Sequence, residues 1–223
     1  MSLAEVAAVA EGDPALTATL LRAANSRPRR RSSRCVAPPM RWCGWAPRTV
    51  AGSAIERSEI DLDALWRHTL AVALLTEAVC NADPAFGEVR TMGFTVGILH
   101  VVGRLVLASQ HPRRHSRAVR LARRGMPILV AELSQFGVDH AAFGGGVAIA
   151  WGLPDVIASA IAAQNVGGEP LAEALHRARL LAWDMGIGDG VVSAPLTALD
   201  FSAETAAPLR LVGGPAALQR RIE

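Results

Sequence analysis

Lysine and tyrosine are absent from this chain of 223 residues, and aromatic residues make up only 4% of it. Every one of the 23 basic residues is therefore an arginine, which we attribute to a GC-rich genome rather than to chemistry. Three cysteines, Cys35, Cys43 and Cys80, are too sparse and uneven in number for a disulfide framework. Because the apolar half of the chain is mostly Ala, Leu and Val without strand-like alternation, the composition favours helices over sheets.

The sequence also shows no targeting segment and no excess charge of one sign. Glu5 and Glu11 interrupt the opening residues, so no secretory signal is expected there. No uninterrupted apolar run reaches the roughly 18–20 residues of a membrane-spanning helix. The net charge of +3 is modest, and the high pI of an arginine-rich chain does not by itself imply a nucleic-acid partner. We expect a soluble, cytoplasmic protein that does not associate with membranes.

Helical periodicity predicts an all-α, multi-helix bundle. A helical domain is expected over residues 1–190, followed by a short helical tail over 191–223. Helices are expected over two stretches within Leu3–Asn25, over Ile60–Cys80 with Asp61 as N-cap, from Gly93 to Ser109, over Pro127–Phe136 with Gly137 as the stop, from His140 onward behind an Asp139 cap, and over Asp155–Gln164 and Pro170–Met185. Asn81–Glu88 is expected to be a loop.

Residues 27–53 break this pattern. They combine an arginine run, Arg27–Arg34, with several prolines, two tryptophans and two cysteines, and they show no apolar period. Three interpretations stay open: a segment translated out of frame, a disordered linker, or a basic arm that binds nucleic acid.

The candidate functional residues centre on the apolar run Gly93–Leu107, which contains His100 and, one helical turn later, Arg104. His68 and His140 lie on separate predicted helices, and three inward-pointing histidines could hold a metal ion in a bundle. The residue after His100 is Val101, however, and the sequence offers no neighbouring carboxylate to complete the charge. Histidines that lie in the core and bond to backbone groups are therefore the expected outcome. No nucleophile elbow, phosphate-binding loop or paired-cysteine metal motif occurs.

Two other stretches leave alternatives open. His111–Arg124 holds two histidines and six arginines, and it is either a solvated helix face or a patch for an anionic partner. Gly144–Gly146 lies inside a predicted helix, where three glycines indicate either a close helix crossing or a bend.

Several segments, in order along residues 3–190, resemble the HDOD domain family. They are Asp13-Pro14-Ala15-Leu16 with Asn25-Ser26, Leu65-Trp66-Arg67-His68-Thr69, Gly97 to Leu107, Asp139-His140, Trp151-Gly152-Leu153-Pro154 and Ala178 to Ala182. HDOD domains are bacterial signalling modules related to the HD metal-dependent phosphohydrolases. Residues 27–53 do not match where the family would supply helices.

The resemblance implies that the metal site has degenerated. His100-Val101 stands where the HD enzymes have His-Asp, and Gln164-Asn165 replaces a later histidine pair. His68, His100 and His140 would then be vestigial ligand positions, lining a pocket with Arg104 and Trp151. No catalytic residue, metal or cofactor is expected.

The function that we expect is that of a non-catalytic regulatory domain that contacts other signalling proteins, with a homo-oligomer as an option and nucleic acid not favoured. The alternatives are a weak metal-dependent phosphohydrolase acting on a nucleotide or phosphoester, and a nucleic-acid-binding module that uses Arg27–Arg34 and Arg113–Arg124.

Overall fold

The computed structural model describes residues 56–192 and 203–223, which are almost entirely helical and contain no β-strand. The α-helices are α1 (Leu62–Ala82), α2 (Gly93–Leu99), α3 (Val102–Gln110), α4 (Pro112–Arg123), α5 (Ile128–Phe136), α6 (His140–Ala150), α7 (Asp155–Ala162), α8 (Pro170–Asp184), α9 (Ala203–Leu211) and α10 (Pro215–Ile222). Two 3₁₀ helices cover Glu56–Ser58 and Pro84–Met92.

The longest helix, α1, is the central element of the bundle. The Asp61 side chain caps its first turn by accepting a hydrogen bond from the Ala64 amide at 3.0 Å. Thr69 and Thr76, both fully buried, donate their hydroxyl groups to carbonyls one turn back, so they bury no unpaired polar group. The helix packs against α2, α8 and α9, and it contributes many of the core side chains.

The apolar run that contains His100 forms two helices rather than one. Helix α2 ends at Leu99 and α3 begins at Val102, with His100 and Val101 in a turn between them. The wider segment Pro84–Gln110 is, among the described residues, the one helical stretch long and apolar enough to cross a membrane by length and composition. Of its most apolar window, 78% is buried inside the protein. His100 and Arg104 interrupt this segment, so it is not an uninterrupted apolar run, and it forms part of the core.

Close approach between helices explains the glycines of this region. A Cβ on Gly103 of α3 would lie 2.0 Å from the His140 carbonyl oxygen and 2.6 Å from the Gly144 nitrogen of α6. A Cβ on Gly97 of α2 would lie 2.4 Å from the Ala73 Cα of α1. Of the two interpretations of Gly144–Gly146, the close helix crossing is confirmed, because Gly144 meets the backbone of α3 and Gly145 meets α7.

The all-α prediction is confirmed, together with the Asp61 cap, the Asp139 cap and the stop at Gly137, whose φ is +74°. The expected loop over Asn81–Glu88 is wrong: α1 continues to Ala82, and a 3₁₀ helix begins at Pro84 behind an Asp83 cap. Within the expected helical tail, Pro208 lies inside α9. The predictions for Leu3–Asn25 and for residues 27–53 fall outside the described residues.

Candidate functional site: a buried pocket of histidines and an arginine

The fold brings two of the candidate histidines together, with their rings tilted by 59°. His68 projects from α1 and His100 from the turn between α2 and α3, and their ring centroids are 5.5 Å apart. Each is only 3% exposed. Each Nδ1 meets a backbone carbonyl oxygen, that of Ile187 at 2.9 Å for His68 and that of Gly97 at 2.6 Å for His100. Because a carbonyl only accepts, both Nδ1 atoms carry the proton and both Nε2 atoms keep a lone pair.

Burial keeps this histidine pair neutral. It lowers the pKa of His68 to about 4, although the Asp189 carboxylate acts in the opposite direction. Burial also lowers the pKa of His100 well below its usual value, and His68 and two nearby arginines lower it further. The pair therefore carries no charge at neutral pH.

The centre of the site is the guanidinium of Arg104, one helical turn after His100. It is 3% exposed, and its Nη1 donates to Asp189 Oδ2 at 2.7 Å. Its Nε lies 3.7 Å from Glu132 Oε1, and its Nη2 lies 3.4 Å from both ring nitrogens of His140. Each of the three guanidinium nitrogens thus faces a different side chain.

His140 contacts the carboxylate of Glu132, which also faces the guanidinium of Arg104. Its Nδ1 lies 2.6 Å from Glu132 Oε2, and its backbone amide donates to the same oxygen at 2.9 Å. Glu132 is fully buried on α5, and His140 is the first residue of α6. The carboxylate therefore fixes both the orientation of the imidazole and the start of the helix.

The carboxylates are ionised because the cation is present. Burial by itself would raise the pKa of Glu132, but His140 and Arg104 outweigh it and lower that pKa to about 2. Burial likewise opposes ionisation of Asp189, yet Arg104 and His68 hold its pKa well below the usual range. Burial disfavours the charged form of Arg104 too, but Asp189 and Glu132 raise its pKa above the usual value.

A second layer of polar residues surrounds this group. Gln164 is fully buried and donates from Nε2 to the His100 carbonyl oxygen at 3.1 Å. Arg179 of α8 donates to the Gln164 carbonyl and to Asn165 Oδ1, each at 2.7 Å. Burial lowers the pKa of Arg179 to about 10, and the neighbouring Arg104 adds to the effect. Of the two residues that the sequence marked as replacing a histidine pair, Gln164 therefore lies beside His100, and Asn165 contacts Arg179.

Comparison with known proteins identifies the family. The sequence pattern of the HDOD domain matches residues 48–166, just over half of the chain. The chain belongs to the HDOD family. HDOD domains are signalling-associated relatives of the HD phosphohydrolases, and the matched range is narrower than the residues 1–190 expected from the sequence. The boundaries at 190 and 191 stay predictions.

Two solved structures share the HDOD fold of this chain. One is a candidate phosphohydrolase from Shewanella amazonensis SB2B, with 20% identity, a TM-score of 0.57, and coverage of 99% of this chain and 93% of its own. The other is the response regulator MmoQ from Methylococcus capsulatus Bath, with 24% identity, a TM-score of 0.52, and coverage of 99% and 94%. At these identities the likeness establishes the fold alone. No curated protein matches the chain.

The residues of this HDOD domain do not fit the metal ion of the HD enzymes. Val101, the position at which the sequence resemblance implies the aspartate of those enzymes, is an apolar side chain buried in the core at 3% exposure. Both carboxylates close to the histidines, Glu132 and Asp189, are engaged by Arg104. Across the described ranges, no three His, Cys, Asp or Glu side chains converge as metal ligands would. The two carboxylates that could serve as ligands are therefore already paired with a positive charge of the protein.

One sequence inference about the site is wrong. No carboxylate was expected near the histidines, because none is close to His100 along the chain. The fold brings Glu132 to His140, 8 residues away in sequence, and Asp189 to Arg104, 85 residues away. The local pattern gives no signal for Asp189. Glu132 could have been singled out, because it is the one acidic residue inside the apolar stretch Ile128–Phe136.

Trp151 is not brought together with the other proposed pocket residues. It follows the last residue of α6, eleven positions after His140, which is roughly 16 Å along a helix axis. Its half-buried side chain packs against the hydrophobic core. His115 of α4, which the sequence did not single out for the pocket, is fully buried within electrostatic range of Arg104, Glu132 and His140.

Proposed function

We propose that this chain is a non-catalytic HDOD regulatory domain that acts through contacts with other proteins. The observation that carries the proposal is the buried guanidinium of Arg104, hydrogen-bonded to Asp189 at 2.7 Å and adjacent to His140 and Glu132. Metal-dependent phosphoester hydrolysis needs a divalent cation to polarise the phosphoryl group and to activate water. In this pocket both carboxylates already face the guanidinium of Arg104, so neither is free to bind that cation.

The neutral histidine pair supports the same proposal. His68 and His100 retain a lone pair on Nε2, but two imidazoles without a carboxylate form a weak site for Mg²⁺ or Mn²⁺, which prefer oxygen ligands. His68 is also anchored to the Ile187 carbonyl and so holds that segment against the bundle, whereas His100 bonds to Gly97 of the adjoining helix. Their role under this proposal is structural.

The test is phosphoester turnover by the purified chain with added Mn²⁺ or Mg²⁺. Turnover is expected to equal that of a His100→Ala variant, because neither protein holds the metal. His100→Ala should instead lower thermal stability, since it removes a buried ring and its hydrogen bond. Turnover by the unaltered chain that disappears with His100→Ala would contradict the proposal and favour the weak phosphohydrolase.

The surface that we assign to partner contacts is the outer face of α4. Arg113, Arg117, Arg120 and Arg124 follow one another at helical spacing, and all four are exposed. Of these, Arg120 pairs with Glu59, and the helix itself contains no acidic residue. Arg57, Arg113 and Arg114 also line a cavity of about 380 Å³ at the beginning of the helix.

This face fits an acidic protein partner. Its binding should weaken with salt as rim charges do, and it should be lost when Arg113 and Arg117 are changed to Gln. Binding of nucleic acid with a steep dependence on salt concentration would instead favour the nucleic-acid-binding alternative.

A further inference from the structure

The arrangement around Arg104 is that of a bound cation rather than of an ordinary ion pair. Its three guanidinium nitrogens face Asp189, Glu132 and His140 respectively. These three residues come from the segment after α8, from α5 and from the start of α6, and Arg104 itself comes from α3. One positive group therefore joins four separate parts of the chain, as a structural metal ion does.

The segment that contains Asp189 depends on this cation. His68 Nδ1 donates to the Ile187 carbonyl, and the Asp61 amide donates to the Gly190 carbonyl at 2.9 Å. Asp189 Oδ1 accepts from the Val191 amide at 3.1 Å, while Oδ2 accepts from Arg104. The Asp189 carboxylate thus connects the turn that it forms with Val191 to the guanidinium of Arg104.

Charge holds the guanidinium in place at least as much as hydrogen bonding does. Arg104 Nε and Glu132 Oε1 are both buried without a hydrogen-bond partner, and they face each other at 3.7 Å. Both carboxylates lie in surroundings of low polarity, where an unpaired anion is costly. Removing the guanidinium would leave two buried anions and a space of its own shape between them.

We infer that Arg104 is a built-in cation, and that the group formed by Asp189, Glu132 and His140 is a cation site with guanidinium specificity. The inference goes beyond the proposed function, because it concerns what holds the pocket together rather than whether the pocket is catalytic. In the unaltered chain the site is saturated by Arg104 and binds no cation from solution. In a chain without that side chain, free guanidinium should bind there.

The test is thermal unfolding of Arg104→Ala, with guanidinium chloride added well below the molar range in which it denatures proteins. The midpoint should fall by about 10 °C, as expected for breaking a buried ion pair in a chain of this size. Guanidinium should restore a substantial part of that loss, whereas urea, which has the same shape but no charge, and sodium chloride should not. The unaltered chain and the exposed-site variant Arg117→Ala should gain nothing from guanidinium.

A second readout locates the effect within the fold. Hydrogen exchange of the Val191 amide should accelerate in Arg104→Ala and slow again with guanidinium, because Asp189 accepts from that amide. In the double variant Arg104→Ala with Asp189→Asn, guanidinium should have no effect. If Arg104→Ala does not stay folded, its refolding yield in guanidinium is compared with its yield in urea instead. The variant Arg104→Lys keeps a positive charge at this position, and its stability should not respond to guanidinium.

Guanidinium that fails to stabilise Arg104→Ala, or that stabilises Arg117→Ala equally, would overturn the inference. That failure differs from failure of the proposed function, which is measured as phosphoester turnover by the unaltered chain. Either result can therefore be obtained without the other.

Discussion

At the scale of single residues, buried histidines make the stability of this protein sensitive to acid. Burial lowers the pKa of His115 to about 4, with the nearby Arg104 as the next cause. Neither ring nitrogen has a hydrogen-bond partner; the Ser58 backbone favours the protonated ring but does not reach bonding geometry. A histidine whose pKa is lower in the folded than in the unfolded chain stabilises the fold above pH 6.5. That contribution is lost as the pH falls toward the folded pKa.

His115→Leu should therefore flatten the acid limb of the stability curve. From the shift of the pKa from 6.5 to about 4, the histidine costs about 2 kcal/mol at pH 5 relative to pH 7.5. The variant should recover most of that difference, and at pH 7.5 it should lie within about 1 kcal/mol of the unaltered chain, because no hydrogen bond is broken. Urea unfolding at pH 5 and at pH 7.5 measures the free energy of unfolding of both proteins.

The exposed His111→Leu is the matched control and should leave the pH dependence unchanged. If His115→Leu kept the full acid slope, the buried imidazole would not be its source. Below about pH 4.5, a further loss is expected as Glu132 and Asp189 become protonated, since their pKa values are lowered in the folded chain.

At the scale of the elements, a glycine crossing sets the geometry of the pocket. Gly103 of α3 lies against the start of α6, so the backbones approach closely enough to bring Arg104 next to His140. The same contact between α3 and α6 positions His140 within hydrogen-bonding distance of Glu132 of α5. The pocket therefore depends on a helix–helix distance that no side chain larger than hydrogen permits at this position.

Gly103→Ala should consequently be strongly destabilising, by about 3 kcal/mol or more, because the new Cβ would lie 2.0 Å from a backbone oxygen that cannot move aside alone. The matched control is Gly87→Ala in the 3₁₀ helix, where a Cβ would meet nothing within 4 Å. Chemical denaturation of the two variants gives the comparison. Equal stability of both would mean that α3 and α6 can separate without cost.

At the scale of the whole molecule, the sequence predicted the helices well because their signals are local. The cap at Asp61, the stop at Gly137 and the cap at Asp139 each act within one turn, so the pattern of a few residues is sufficient. The Asn81–Glu88 segment was misjudged because Asp83-Pro84 suits the start of a helix as well as a loop.

The candidate site was predictable only in part. His68, His100 and His140 were found because a histidine within an apolar stretch is unusual. Glu132 and Asp189 were missed, since their partners lie 8 and 85 residues away and only the tertiary fold joins them. The charged partners were therefore the part that the sequence could not supply. The pocket was expected to lack carboxylates, yet it contains two, and both face Arg104.

We propose that Arg104 supplies the positive charge of this pocket and that the pocket holds no metal ion. Elemental analysis of the native chain after incubation with Mn²⁺, Zn²⁺ and Fe²⁺ and removal of excess metal tests this proposal most directly. We expect a metal content far below one ion per chain, unchanged by His100→Ala. One equivalent of a transition metal, retained by the unaltered chain and lost with His100→Ala, would contradict it.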